Sequence, residues 1–199
     1  VSTPRSGGSG GAGGGGGGDA GGGLFSQPHP WTKDVSAMAP SASSSAIINW
    51  LSNAGGWGSG KMRIDFGLTI LQANNSTPKK TWTKTNEFYS PDCDFVPFPV
   101  PATGSLEAES GYQCTNDGDC HLLVIDQGSR HLYEMWRGDM VGGTLYGGCV
   151  ADWNLDGAYD QKLLRGKGCS SADAGGFPIT AMLATPEEVA SGDVKHALR

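Results

Sequence analysis

From His121 to Trp136 the chain reads HLLVIDQGSRHLYEMW, two apolar runs on either side of Gln127-Gly128-Ser129. That pattern predicts a β-hairpin. A two-residue loop at Gly128-Ser129 pairs Asp126 with His131 and sets Glu134 diagonal to His121. A loop at Gln127-Gly128 instead sets His121 directly opposite Glu134. Either register puts His121 and Glu134 on one face, and Asp126 and His131 on the other. Leu122, Val124, Tyr133 and Met135 make one face apolar, while Leu123, Ile125 and Leu132 do the same for its opposite. The ribbon is therefore expected at the centre of the domain, covered on both sides.

Elsewhere the signals are shorter. Residues 24–40 are Pro- and Ser-rich, with Phe25 and Trp31 as anchors over an irregular path. Ser43 to Leu51 predicts a helix with a serine start, Ile47, Ile48 and Leu51 on one side, and Gly55-Gly56 as its stop. Residues 61–71 alternate as a half-buried strand, and Asn74 to Pro78 is a turn carrying overlapping glycosylation sequons. Residues 81–101 combine aromatics with prolines and predict an extended surface segment. Residues 138–168, punctuated by glycine, predict loops. Thr185-Pro186-Glu187-Glu188 starts a helix that Gly192 follows, and 194–199 resembles the start of a strand that ends without a closing turn. Part of the fold is accordingly expected beyond residue 199. Short strands between Gly/Pro-rich turns predict a mainly β fold, an antiparallel β-sandwich or jelly roll with one or two short helices.

Composition separates a tail from a domain. Of 33 glycines in 199 residues, 13 lie in residues 1–23, a stretch with almost nothing to bury. It predicts a flexible tether ahead of a single domain spanning 24–199. Val1 suggests a removed leader or a start inside a longer protein. A net charge of −6, with only 14 Lys and Arg, argues against nucleic acid as partner. No run approaches the roughly 20 apolar residues of a spanning helix.

The five cysteines form no C-x-x-C pair. Cys114 and Cys120 flank the turn-rich TNDGD, and Cys149 and Cys169 flank a second polar loop. The expected bridges are Cys114–Cys120 and Cys149–Cys169, with Cys93 free or paired outside the chain. Such bridges imply a secreted or cell-surface setting; five reduced, buried thiols are the alternative.

Three constellations could carry chemistry. The hairpin offers two imidazole–carboxylate pairs, His121 with Glu134 and Asp126 with His131, the arrangement that acid–base work requires. They could equally be structural pairs. Asp152, Asn154, Asp156 and Asp160, with Gly157, follow the opening of a calcium loop. The twelfth place is Leu163, where a bidentate acid belongs, so an Asx-rich turn competes with a calcium site; calcium is the one cofactor suggested. Asn116 to Asp119 is a weaker version. Finally, Asp173 sits in a small-residue segment, as an acid, a ligand-binding carboxylate or a turn cap. Nucleophile-elbow, zincin, phosphate-loop and dinucleotide motifs are absent from the sequence.

The tail resembles the tethers that follow the lipidated cysteine of bacterial surface lipoproteins. Residues 121–199 resemble a largely uncharacterised group of secreted bacterial and fungal proteins. These share a D…LYE-W hairpin, an S-A-D-A-x-G-x-P-I block (Ser171 to Ile179 here) and an H-A-L-R strand (His196 to Arg199). The resemblance implies an extracellular role among polymer-degrading microbes and supplies no mechanism. It makes Asp126, His131, Glu134, Trp136, Asp173 and His196 candidates by motif membership.

The resulting expectation is a secreted or surface-tethered protein that acts on or binds extracellular polysaccharide. One version is a glycoside-cleaving enzyme using His121, Glu134, Asp126, His131 and Asp173, with Trp82, Trp136, Trp153 or His196 against the sugar. The alternative is a non-catalytic, disulfide-stapled structural or adhesion module.

Overall fold

The computed structural model describes residues 23–56, 67–159, 165 and 171–198. The tether to residue 22, residues 61–66, Asp160, Cys169 and Arg199 lie outside the described residues. In chain order the strands are β1 (Ile70–Ala73), β2 (Lys79–Lys80), β3 (Trp82–Lys84), β4 (Phe98–Pro99) and β5 (Leu122–Asp126). They continue with β6 (His131–Trp136), β7 (Asp139–Val141), β8 (Thr144–Gly147) and β9 (Cys149–Asn154). The helices are α1 (Ser44–Asn53) and α2 (Pro186–Ser191). The class is mainly β.

The predicted hairpin is β5–β6, at the middle of a four-stranded sheet ordered β1-β5-β6-β9. Its register pairs Asp126 with His131 and Leu122 with Met135, the Gly128-Ser129 alternative. Asp126 sets the turn. Its Oδ1 accepts the Gly128 and Ser129 amides, and its Oδ2 accepts the Ser129 hydroxyl at 2.7 Å. Gly128 leaves room for the Asn75 side chain of the preceding turn, which a Cβ there would displace.

Both faces of the ribbon are covered. On one, Leu123, Ile125 and Leu132 pack with Phe25, Trp31, Trp153 and Ile179. On the other, Leu122, Val124, Tyr133 and Met135 pack with Trp82, Phe98, Leu106 and Leu145. Each such buried side chain contributes about 1.5–3 kcal/mol relative to exposure. Two smaller sheets, β2-β4 and β3-β8-β7, accompany this one.

Several expectations are corrected. β1 with β5 and β3 with β8 run parallel, so the four-stranded and three-stranded sheets are mixed, while β2-β4 is antiparallel. Strand direction depends on long connections, which a hydrophobic pattern does not encode. Residues 138–154 are largely strands despite their glycines, because Leu145, Val150 and Trp153 supply buried positions. Trp82 and Phe98 belong to the core rather than to a surface segment. Helix α1 forms, yet Ile47 and Ile48 are exposed and none of its residues is buried. Residues 194–198 make no strand; the Ala197 amide donates to the Trp31 carbonyl at 2.6 Å. Helix α2 matches its signal, with a reciprocal Thr185–Glu188 capping box and Gly192 left-handed at φ 70°.

The Cys114–Cys120 bridge forms as expected. Cys149, however, pairs with Cys93 rather than Cys169, closing a separation of 56 residues. The segment after Cys93 is held along β9: the Asp94 amide donates to the Val150 carbonyl, and the Asp152 amide to Asp94 Oδ2. Spacing favoured Cys169, but these backbone contacts bring Cys93 to β9.

Candidate functional site: a groove beside Trp136

Neither expected imidazole–carboxylate pair forms, although the register puts His121 and Glu134 on one face of the ribbon and Asp126 and His131 on the other. Glu134 is wholly buried. It accepts the Trp153 indole N–H at 3.0 Å, the Ile179 amide at 3.1 Å and the Thr180 amide at 2.7 Å. Burial pushes its carboxyl up, against the pull of these donors. It ties β6 to the 179–180 segment. His121 instead places Nδ1 2.7 Å from Glu107 Oε2, and Nε2 3.0 Å from the Ala172 carbonyl. A carbonyl can only accept, so Nε2 carries the hydrogen. Both ring nitrogens are thereby engaged, Nδ1 by Glu107 and Nε2 by the Ala172 carbonyl.

At the other end, His131 Nδ1 meets Asp152 Oδ1 at 2.6 Å, its ring stacked on Tyr133. Burial raises the Asp152 carboxyl, opposed by His131. Asp126 faces Lys79 at 3.4 Å. Burial pushes the Asp126 carboxyl up, but the Ser129 hydroxyl and amide, with the Lys79 ammonium, hold it below its ordinary value. The real partners, Glu107 and Asp152, come from elements that the hairpin pattern does not contain.

The three candidate calcium ligands among the described residues have other partners. Asp152 serves His131, Asn154 Oδ1 accepts the Asp156 amide, and Asp156 pairs with Arg130 at 3.0 Å. Among the described residues the one cluster of three metal-type ligands is Glu109, Cys114 and Cys120, whose sulfurs form the disulfide. Trp153 is buried and cannot stack on a sugar. His196 has a sealed side chain bound to Glu188 Oε1 at 3.1 Å, which ties the tail to α2.

Three expected residues do meet. His121, Trp136 and Asp173 line one groove of about 300 Å³, joined by Asp119 and Tyr89. Trp136 ends β6 opposite Cys149. Its indole N–H donates to Asp119 Oδ1 at 3.0 Å, which fixes the ring's polar edge. Gly148 lets the ring lie on backbone, since a Cβ there would come 2.8 Å from Cε3 of the indole.

Asp119 is held in turn by its surroundings. Its carbonyl accepts the Arg137 amide at 2.9 Å, and the Cys114–Cys120 bridge closes its loop. Glu109 accepts the amides and side-chain donors of Thr115 and Asn116, ordering the same loop. These bonds hold the Glu109 carboxyl below its ordinary value. Tyr89 is 47 % exposed at the rim.

Sequence reasoning missed Tyr89 and Asp119 as site members. Asp119 stood out only within a weak calcium pattern, and Tyr89 only as one of several aromatics. Among the described residues no helix is long and apolar enough to cross a membrane. Comparison with known proteins finds no matching family model, no matching curated protein and no matching solved structure.

Proposed function

We propose that this is a secreted or surface-tethered domain that binds extracellular polysaccharide in the Trp136 groove without cleaving it. The observation that carries the reading is the groove's composition: an anchored indole and a rim tyrosine beside the carboxylates of Asp119 and Asp173. Flat aromatic faces with a few fixed polar groups are how concave sites hold small polar rings. The two disulfides suit an oxidising compartment, as does the likeness to secreted microbial proteins. Two of the three motif blocks of that likeness contribute: the hairpin gives Trp136, and the Ser171 to Ile179 block gives Asp173.

Binding without cleavage is favoured because the expected acid, Glu134, is sealed, and both nitrogens of His121 are engaged. The test is a glycan array with the intact chain, followed by affinity measurement and a reducing-end assay on each bound polymer. A bound glycan is expected, with Trp136→Ala weakening it at least tenfold and no reducing ends released. Absence of any bound glycan, or an unchanged Trp136→Ala variant, overturns the binding reading. Release of reducing ends would make it an enzyme and point to Asp119 and Asp173.

A further inference from the structure

We propose that Asn74 is the acceptor of an N-linked oligosaccharide, and that Asn75, which opens the overlapping sequon, is not. This rests on the secreted part of the reading above and not on what the Trp136 groove binds. Asn74-Asn75-Ser76 and Asn75-Ser76-Thr77 are the two N-x-S/T sequences of the chain. Both lie in the turn between β1 and β2, so a transferase meets two adjacent carboxamides. In the transfer, Nδ2 attacks C1 of a polyprenyl-diphosphate-linked oligosaccharide. The N–C1 bond forms as the C1–O bond to the diphosphate breaks. Polyprenyl diphosphate leaves, Nδ2 gives up one proton, and nothing is oxidised or reduced.

The turn presents the two carboxamides differently. Asn74 is exposed, and its Oδ1 accepts the Ser76 amide at 2.9 Å and the Ser76 hydroxyl at 2.6 Å. The carboxamide is thus tied through its oxygen to the hydroxyl of its own sequon. Nδ2, the reacting atom, donates to no group among the described residues. Bonds that span two residues are local and need no part of the sheet, so they are open to a chain still folding. The Asn75 carboxamide instead leans on the β5–β6 turn, where a Cβ on Gly128 would collide with its Oδ1. The hydroxyl of its sequon is engaged elsewhere: Thr77 Oγ1 accepts the Asn74 amide at 3.0 Å. Pro78 follows directly and biases Thr77 toward extended backbone. Asn74 is also remote from the groove. Its neighbour Asn75 meets the turn from which β6 starts, and Trp136 ends that strand, roughly 17 Å further along. An oligosaccharide on Asn74 therefore leaves the groove open.

The test secretes the full chain from yeast behind a yeast leader. Peptide N-glycosidase in water enriched in heavy oxygen then marks each formerly glycosylated Asn as a labelled Asp, and peptide mass spectrometry reads the position. Label is expected at residue 74 and not at residue 75. Asn74→Gln should abolish the modification. Asn75→Gln keeps the Asn74-x-Ser76 sequence and should leave occupancy as in the parent. Ser76→Ala removes the Asn74 sequon while keeping that of Asn75, so it should also abolish the modification. Label at residue 75, in the parent or in Ser76→Ala, overturns the assignment, as does a secreted parent without glycan at either position. Where a variant fails to fold and is not secreted, the map of the parent decides. The yeast leader imposes export, so an unmodified parent counts against Asn74 alone and leaves the polysaccharide reading standing.

Discussion

Glu134 and Trp153 meet across neighbouring strands, the indole N–H of one donating to the carboxyl oxygen of the other at 3.0 Å. Two backbone amides also donate to Glu134. Glu134→Gln puts an NH2 group against at least one of these donors, leaving it unsatisfied in a dry core at a cost of about 2 kcal/mol. For a chain of this length that lowers Tm by roughly 4–8 °C. The expected result is a less stable protein whose glycan affinity at room temperature is unchanged, because Glu134 lies outside the groove. Unaltered melting would show that the carboxylate is not the tie between β6 and the 179–180 segment.

His29 is the next test. Its ring is stacked on Trp31 at 4.5 Å and faces Phe25 and Tyr159 edge-on or tilted at 4.9 and 5.5 Å. It is 4 % exposed, and among the described residues neither ring nitrogen has a side-chain or backbone partner within good hydrogen-bond geometry. Burial lowers its pKa, outweighing a weak pull from the Tyr159 backbone. With the folded value below the unfolded one, the unfolded chain takes up the proton first as pH falls. Stability is therefore full above the ordinary histidine value of about 6.5 and declines below it, by up to about 1.4 kcal/mol per pH unit. His29→Phe should flatten the difference between Tm at neutral pH and Tm at about pH 5 relative to the parent. A parent and variant with parallel Tm–pH curves would refute this role for the ring.

The two disulfides differ in what they constrain. Cys93–Cys149 closes a separation of 56 residues and Cys114–Cys120 one of 6. Loop-closure entropy assigns about 4 kcal/mol to the first and about 2 kcal/mol to the second. Cys93→Ala/Cys149→Ala should therefore lower Tm more than Cys114→Ala/Cys120→Ala. The short bridge should matter more to binding, because its loop presents Asp119. Non-reducing peptide mapping is expected to recover Cys93 linked to Cys149. A Cys149–Cys169 peptide would contradict the connectivity.

The sequence made the central ribbon readable because two apolar runs flank a short polar turn, but with both faces apolar it left two registers open, and the Asp126 bonds to Gly128 and Ser129 accompany the one that forms. It also exposed the local devices, such as the Thr185 cap and the Cys114–Cys120 loop, whose partners lie within a few residues of each other. What it could not convey was long-range pairing. Glu107 reaches His121, Asp152 reaches His131 and Cys93 reaches Cys149 through connections whose direction the pattern does not encode. The site suffered the same way. His121, Trp136 and Asp173 were each singled out, but their meeting depends on the loop of Asp119 and on residues 171–174 folding back beside β6. Glu134 misled because residue type alone does not distinguish a sealed carboxylate from an accessible one.

Gly148 offers a way to move Trp136 without touching its chemistry. The glycine amide donates to the Trp136 carbonyl at 2.9 Å, and the indole lies over the glycine. A methyl group at this position would stand 2.8 Å from Cε3 and 3.0 Å from Cζ3 of the ring. The indole must shift, and its N–H then leaves Asp119. Gly148→Ala should weaken glycan binding about as much as Trp136→Ala, while keeping every side chain that touches the ligand. Gly143→Ala is the contrast: its turn has open space around the added carbon, so its cost is backbone strain at φ 85° with no effect on the groove. Equal affinities for Gly148→Ala and the parent would mean that the position of the indole does not govern recognition.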